Sequence, residues 1–111
     1  MTAWIHVPVK GKMKMVQSES MTDDESFVAG SHEVSLRWMQ QMVGGWIERV
    51  PTPSGVALDL PEELCGEAVF LINAWCNEEG RLEGLGFNAI ASALLGQHLV
   101  GDILLEVVVN G

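Results

Sequence analysis

The sequence predicts a small α+β domain, in which a mixed, mainly antiparallel sheet carries two helices packed on one face. Three observations lead to this prediction. The chain has 111 residues, 48% of them hydrophobic, which is enough for one core and a single domain over residues 1–111. Several apolar runs have the length of strands, and two other segments have helical periodicity ended by glycine. The predicted order is β-β-α-β-(β)-β-α-β, with helices inserted between strands.

The first predicted element is an N-terminal hairpin. Residues 4–9 alternate in the manner of a strand, and Pro8 marks either an edge position or the end of that strand. Gly11 turns the chain, and residues 13–16 form the second strand.

A polar, acidic segment, residues 17–31, is predicted to be a variable connecting loop. Ser31 is a suitable N-cap for a following helix, and Glu33 would lie in its first turn. Apolar residues then recur at i, i+4, i+5, i+8 and i+9, namely Val34, Trp38, Met39, Met42 and Val43. Gly44 and Gly45 end this predicted helix.

Residues 46–50 are predicted to form a strand that stops at Pro51. A second variable segment, residues 51–67, follows it. Within this segment we expect a short strand at 56–60 and a helical turn that begins at Pro61.

The last third of the chain contains the most apolar predicted strands. Residues 68–76 form a central strand, and a tight turn over 77–80 leads into extended chain at 81–82. Asn88 caps a short helix over 89–95 that Gly96 ends, and residues 102–109 form a final β-branched strand.

Charge is distributed unevenly around a net charge of −9. Residues 1–18 contain Lys10, Lys12 and Lys14 and no acidic residue, whereas all 15 acidic residues follow, with three arginines. An acidic surface repels the phosphate backbone of nucleic acids, so broad nucleic-acid binding is not expected. A basic protein partner, or mimicry of the charge of a nucleic acid, is compatible with this charge.

The sequence predicts a cytoplasmic location. No apolar run approaches the roughly 20 residues that span a bilayer, and residues 1–12 do not have the pattern of a signal peptide. The two cysteines, Cys65 and Cys76, make no disulfide framework and are expected to be buried free thiols.

Candidate chemical sites are weak. Glu78, Glu79 and Glu83 could hold a divalent cation, but their spacing matches no calcium loop, and a solvated turn is favoured. Cys76, His98 and Asp102 could be combined into a nucleophilic triad, although no nucleophile motif surrounds Cys76. We therefore predict no catalytic residue, no metal and no cofactor.

Ligand binding has better candidates. A cationic hairpin can contact phosphate groups, and an exposed tryptophan can stack on a nucleobase. Trp4 and Trp46 lie on predicted strands and could face either way, with a place in the core favoured. Asn88 could bind a ligand at a helix N-terminus, although a capping role is favoured. The candidate ligand-binding residues are Lys10, Lys12, Lys14, Trp4, Trp46 and Asn88.

Four short segments occur in a characteristic order. They are Met42–Glu48 (MVGGWIE), Asn77–Leu82 (NEEGRL), Gly84–Ala89 (GLGFNA) and Val100–Asp102 (VGD). In these segments the chain resembles the domain of unknown function 3846 of phages and other mobile elements. It departs from the family pattern at Gly86 and Phe87, where proline is usual, and at Ala89, where a cationic residue is usual.

The resemblance implies a biological setting, that of an accessory protein of a phage or mobile element. Combined with acidic charge and small size, it predicts a non-enzymatic protein that binds a host protein or a small nucleotide signal, with a counter-defence role. A small metal-dependent hydrolase or nuclease and a structural or assembly protein are the alternatives. Edge strands of small sheets often support dimers, so a homo-oligomer also stays open.

Overall fold

The computed structural model describes residues 2–17, 26–29, 32–53 and 55–110. Strands and two helices alternate along this part of the chain. In order, they are β1 (Thr2–Val7), β2 (Lys14–Val16), β3 (Ser26–Ala29), β4 (His32–Ser35), α1 (Leu36–Val43), β5 (Ile47–Val50), β6 (Ala68–Asn77), α2 (Ala89–Leu95) and β7 (Ile103–Asn110).

Five of the strands form one antiparallel sheet in the order β2-β1-β7-β6-β5. The predicted N-terminal hairpin is confirmed, because β1 and β2 pair with Trp4 opposite Val16. The predicted strands at 46–50, 68–76 and 102–109 are also present, within one or two residues at each end. The α+β class and the mainly antiparallel sheet are therefore confirmed.

The two helices lie on opposite faces of this sheet, so the prediction that both pack on one face is wrong. Helix α1 packs against Trp4, Trp75 and Leu104. Ala91 of α2 packs on the other face in the cluster that contains Ile103 and Leu105. Successive side chains of a strand point to opposite faces, so a strand that is apolar at consecutive positions needs cover on both.

A second hairpin precedes α1. Strands β3 and β4 pair with each other in a separate two-stranded sheet, so residues 26–29 are not the loop that we expected. Glu33 and Val34 belong to β4, and the helix begins only at Leu36, because backbone pairing across the hairpin takes the place of the expected first helical turn. Ser31, the predicted cap, lies outside the described residues, as do positions 18–25 and 30.

Two further local predictions differ from the structure. The predicted strand at 56–60 is reduced to a bridge between Ala57 and Phe70 and the hydrogen bonds that flank it. Residues 81–84 continue the turn instead of extending, since the amide of Glu83 donates to the carbonyl of Glu79 at 2.9 Å. The helical turn at Pro61 is confirmed by the bond from the Leu64 amide to the Pro61 carbonyl, at 3.0 Å.

Asn88 is the N-cap of α2, as predicted, and its side chain is fully buried. Its Oδ1 accepts from the amide of Ala91 at 2.9 Å, which satisfies one of the unpaired donors of a helix start. Its Nδ2 donates to the carbonyls of Val7 at 2.8 Å and Gly101 at 2.9 Å. One side chain thus ties α2 to the end of β1 and to the approach to β7.

Replacement of this side chain should be costly. Asn88→Ala removes the cap and leaves two buried carbonyl groups without their donor, so we expect a loss of about 3 kcal/mol in the free energy of unfolding. Asn88→Ser keeps a capping oxygen and should lose less. Leu82→Ala is the control, because Leu82 is 89% exposed. Urea titration followed by circular dichroism measures the free energy of unfolding of all three variants. If Asn88→Ala lost no more than Leu82→Ala, the stabilising role of the Asn88 side chain would be contradicted.

Candidate functional site

The first two of the four sequence segments meet at the end of α1. Asn77 is buried there, with its Nδ2 3.4 Å from the carbonyl of Val43 and 3.1 Å from Oε1 of Glu83. A Cβ atom on Gly45 would lie 2.8 Å from the same Nδ2, so any larger residue there would displace the Asn77 side chain. The amide of Glu78 donates to the carbonyl of Trp46 at 2.8 Å. The helix-to-strand junction and the 77–82 turn therefore form one interlocked unit.

The other two segments join the same end of the sheet. The amide of Leu85 donates to the carbonyl of Gly80 at 2.9 Å, and the amide of Gly101 donates to the carbonyl of Gly86 at 2.7 Å. Gly101 has a φ of +75°, and a Cβ on it would lie 2.9 Å from Cδ1 of Leu85. The positive φ favours glycine at 101, and a larger residue would also displace the end of the Leu85 side chain.

A cleft of about 620 Å³ opens where these segments converge. Its size falls within the range of small-molecule sites in proteins. It is lined by the end of α1, the loop after β1 and the two glycine-containing loops, through Val9, Lys10, Gln41, Met42, Val43, Gly44, Leu85, Gly86, Gly101 and Asp102. Three of the four sequence segments contribute to these walls.

The carboxylate of Asp102 is held in a fixed orientation at the cleft. Its Oδ2 lies 2.9 Å from Nε2 of His6, and its Oδ1 accepts from the amide of Val9 at 3.0 Å. Asp102 is nevertheless only half-buried, and a carboxylate oxygen can accept more than one hydrogen bond. The cleft therefore presents an oriented acceptor to a ligand.

The other charges at the cleft are of both signs. The last carbonyl groups of a helix carry partial negative charge, and α1 has no basic residue in its last turn. Lys10 is exposed and supplies positive charge at the same cleft. This arrangement suits a ligand that has both an anionic group and hydrogen-bond donors.

The three predicted lysines are separated by the structure. Lys10 lines the cleft, Lys12 lines a different depression beside Met13 and Pro61, and Lys14 lies in β2 opposite His6. Only Lys10 thus belongs to the candidate site.

The predicted tryptophans do not line the cleft. Trp4 is buried, with its ring edge-on to Trp38 at a centroid distance of 5.3 Å. Trp46 is 65% exposed, but it is not among the residues that line the cleft. A single pocket formed by these tryptophans and lysines is therefore not present, and Asn88 is fully occupied as a cap.

The candidate nucleophilic triad is not assembled. Burial, followed by the negative charge of Glu48, raises the pKa of the Cys76 thiol to about 11. Cys76 and His98 line a separate cavity of about 330 Å³, and the His98 ring stacks on Phe87 at 4.9 Å. Asp102 instead contacts His6.

The candidate carboxylates have local roles in the turn. Glu83 accepts from the side chain of Asn77, and the Glu79 amide donates to Oδ1 of Asn77 at 2.8 Å. Within the described ranges, no three His, Cys, Asp or Glu side chains are grouped closely enough to hold a metal ion.

Sequence reasoning missed one polar group near the core. Glu106 in β7 is fully buried on the α1 face, opposite Trp4. Its Oε1 accepts from Nδ2 of Asn73 at 2.9 Å, and Nη1 of Arg49 lies 3.4 Å from Oδ1 of Asn73. A single acidic residue within an otherwise apolar strand was the available signal for this network.

Comparison with known proteins leaves the family open. No protein-family model matches the chain, and no curated protein and no solved structure shows significant similarity to it. The resemblance to the domain of unknown function 3846 therefore stays a prediction. None of the helices in the described part of the chain is long and apolar enough to cross a membrane.

The raised pKa of Cys76 predicts slow thiol chemistry. In a Cys65→Ser variant, the remaining thiol should react with iodoacetamide at pH 8 roughly 100-fold more slowly than an ordinary thiol, because only the thiolate reacts. The rate should rise until the pH passes about 11, where the folded thiol ionises. Glu48→Gln should accelerate the reaction, since Glu48 contributes to the raised pKa. Rapid alkylation at neutral pH would contradict this environment.

Proposed function

We propose that this chain is a non-enzymatic binding protein that holds a small nucleotide in the cleft at the end of α1. The observation that carries the proposal is that Lys10 and the oriented carboxylate of Asp102 line the same cleft of about 620 Å³. A nucleotide has the matching groups, an anionic phosphate and a base with N–H donors.

Each part of the cleft has a role in this proposal. The ammonium group of Lys10 pairs with a phosphate oxygen as a charge-assisted contact. Asp102 accepts from N–H groups on the edge of the base, as carboxylates do with the amino group of cytosine. The side chains of Met42 and Leu85 supply apolar contacts for the flat faces of the base, in place of the tryptophans that we expected there.

The proposed setting is that of a phage or mobile element, to which the resemblance in the four segments points. A protein that binds a nucleotide without converting it lowers the free concentration of that nucleotide. If the nucleotide is a signal of the host, its sequestration is a counter-defence activity. The convergence of the resemblance-bearing segments around the cleft supports this assignment.

Calorimetric titration against a panel of mononucleotides and cyclic nucleotides tests the proposal. We expect one nucleotide to bind with a 1:1 stoichiometry. Lys10→Ala should weaken it roughly tenfold, by loss of a charge-assisted contact. Lys12→Ala is the matched control, because it removes the same charge from the same loop but lies outside the cleft.

Three results would overturn the proposal. They are the absence of heat with every nucleotide, equal effects of the two lysine substitutions, and conversion of the bound nucleotide. The last is measured by chromatography after incubation with Mn²⁺, and a product would support the metal-dependent hydrolase instead.

A further inference from the structure

The outward side of α2 is apolar. Its seven residues, AIASALL, include no charged side chain, and Ala91 and Ser92 are buried toward the sheet. Ala89 and Ala93 are exposed on the opposite side, together with Ile90, which is 41% exposed. A surface helix of a globular protein usually carries polar residues there.

Two adjoining depressions run along this side of α2 and share Met13, Pro61 and Ile90. Their volumes are about 580 and 360 Å³. We call the combined feature the α2 groove. Its floor is α2, and its walls are the loop between β1 and β2 on one side and residues 57–64 on the other. Its lining residues are Gly11, Lys12, Met13, Ala57, Asp59, Pro61, Glu63, Leu64, Ala89, Ile90, Ala93 and Leu94.

One wall of the α2 groove is acidic. Asp59 and Glu63 line this wall. The segment from 57 to 67 contains no basic residue and carries two further exposed carboxylates outside the lining, those of Glu62 and Glu67. Lys12 supplies the positive charge on the other wall. A neutral or basic partner is thus favoured along most of its length.

We propose that the α2 groove docks an amphipathic helix of a partner protein, with an apolar face against α2 and basic residues along its flank. Helices of this kind bind in apolar grooves through residues at i, i+3, i+4 and i+7. The small side chains of Ala89 and Ala93 allow the axis of a docked helix to approach α2 closely.

Charge also argues against a second copy of this chain as the occupant. The chain has a net charge of −9, so two copies that pair through α2 would repel each other electrostatically. The α2 groove is separate from the nucleotide cleft, so the two proposals stand independently.

The probe is a fluorescein-labelled amphipathic peptide of about 15 residues, long enough to form a helix when bound. It has leucines at i, i+3, i+4 and i+7 and lysines on both flanks. Fluorescence anisotropy with the full chain should show saturable binding. A peptide with glutamates on its flanks, and one with serines replacing the leucines, should each bind at least tenfold more weakly.

Substitutions that leave the charge unchanged distinguish binding in the α2 groove from general electrostatic attraction of a basic peptide to an acidic protein. Ile90→Gln should weaken binding of the basic peptide roughly tenfold, as at a central contact of an interface. Leu82→Gln is the matched control, because Leu82 is 89% exposed and lies outside the groove. The affinity of the Leu82 variant should stay within about twofold of the parent.

A second pair of variants tests the acidic wall. The Asp59→Asn/Glu63→Gln variant should weaken binding about fivefold and reduce its dependence on salt. The Glu78→Gln/Glu79→Gln variant changes the net charge equally at two exposed residues outside the groove and should have little effect.

Several outcomes would overturn the proposal. The first is the absence of saturable binding, and the second is an equal effect of the Ile90 and Leu82 substitutions. The third is that the glutamate-flanked peptide binds as tightly as the lysine-flanked one. Sedimentation of the unlabelled protein provides a further test. If the protein is a dimer and Ala93→Gln dissociates it, the groove is a self-association surface. That result would contradict the docking of a helix from a partner protein. A monomer at all concentrations, with the expected ranking of peptides, would support it.

Discussion

Strand β7 is buried on both faces along its first five residues, 103–107. Both faces of the sheet therefore need cover, which α1 and α2 provide from opposite sides. Glu106 places a carboxyl group at this centre, and a buried polar group is costly unless it is hydrogen-bonded. A register shift in β6, between Leu71 and Asn73, brings the amide of Asn73 opposite Glu106, where an unshifted strand would place Ile72. The irregularity in β6 and the buried acid in β7 thus belong to one arrangement.

The same strand determines the position of the cleft. Gly101 and Asp102 immediately precede β7, so their place is set by its pairing with β1. The carboxylate of Asp102 contacts His6 in β1 and the amide of Val9 just after β1. The side chain of Asn88 donates to the carbonyls of Val7 and Gly101. These bonds all act between backbone segments that the sheet has already brought together. The walls of the cleft are consequently preorganised, which lowers the conformational cost of binding a ligand.

Local signals in the sequence predicted local structure well. Asn88 and Gly96 cap the two ends of α2, as expected, because capping depends only on the nearest few residues. The face that each helix covers depends on the whole sheet, and adjacent apolar residues such as Leu104 and Leu105 do not distinguish the two faces. For the same reason the sequence identified Lys10 and Asp102 singly but could not place them at one cleft, since 92 positions of chain separate residues that only the sheet brings together.

The three lysines of the N-terminal hairpin show how the fold changes the meaning of a charge cluster. Adjacent in sequence, they suggest one cationic surface, but Lys10 contributes to the cleft and Lys12 to the α2 groove. The loop between β1 and β2 contributes residues to the walls of both depressions. Each lysine therefore faces a different set of neighbours, Asp102 in one case and Glu63 in the other. A ligand experiences this local charge within about a Debye length, roughly 10 Å, rather than the net charge of the hairpin.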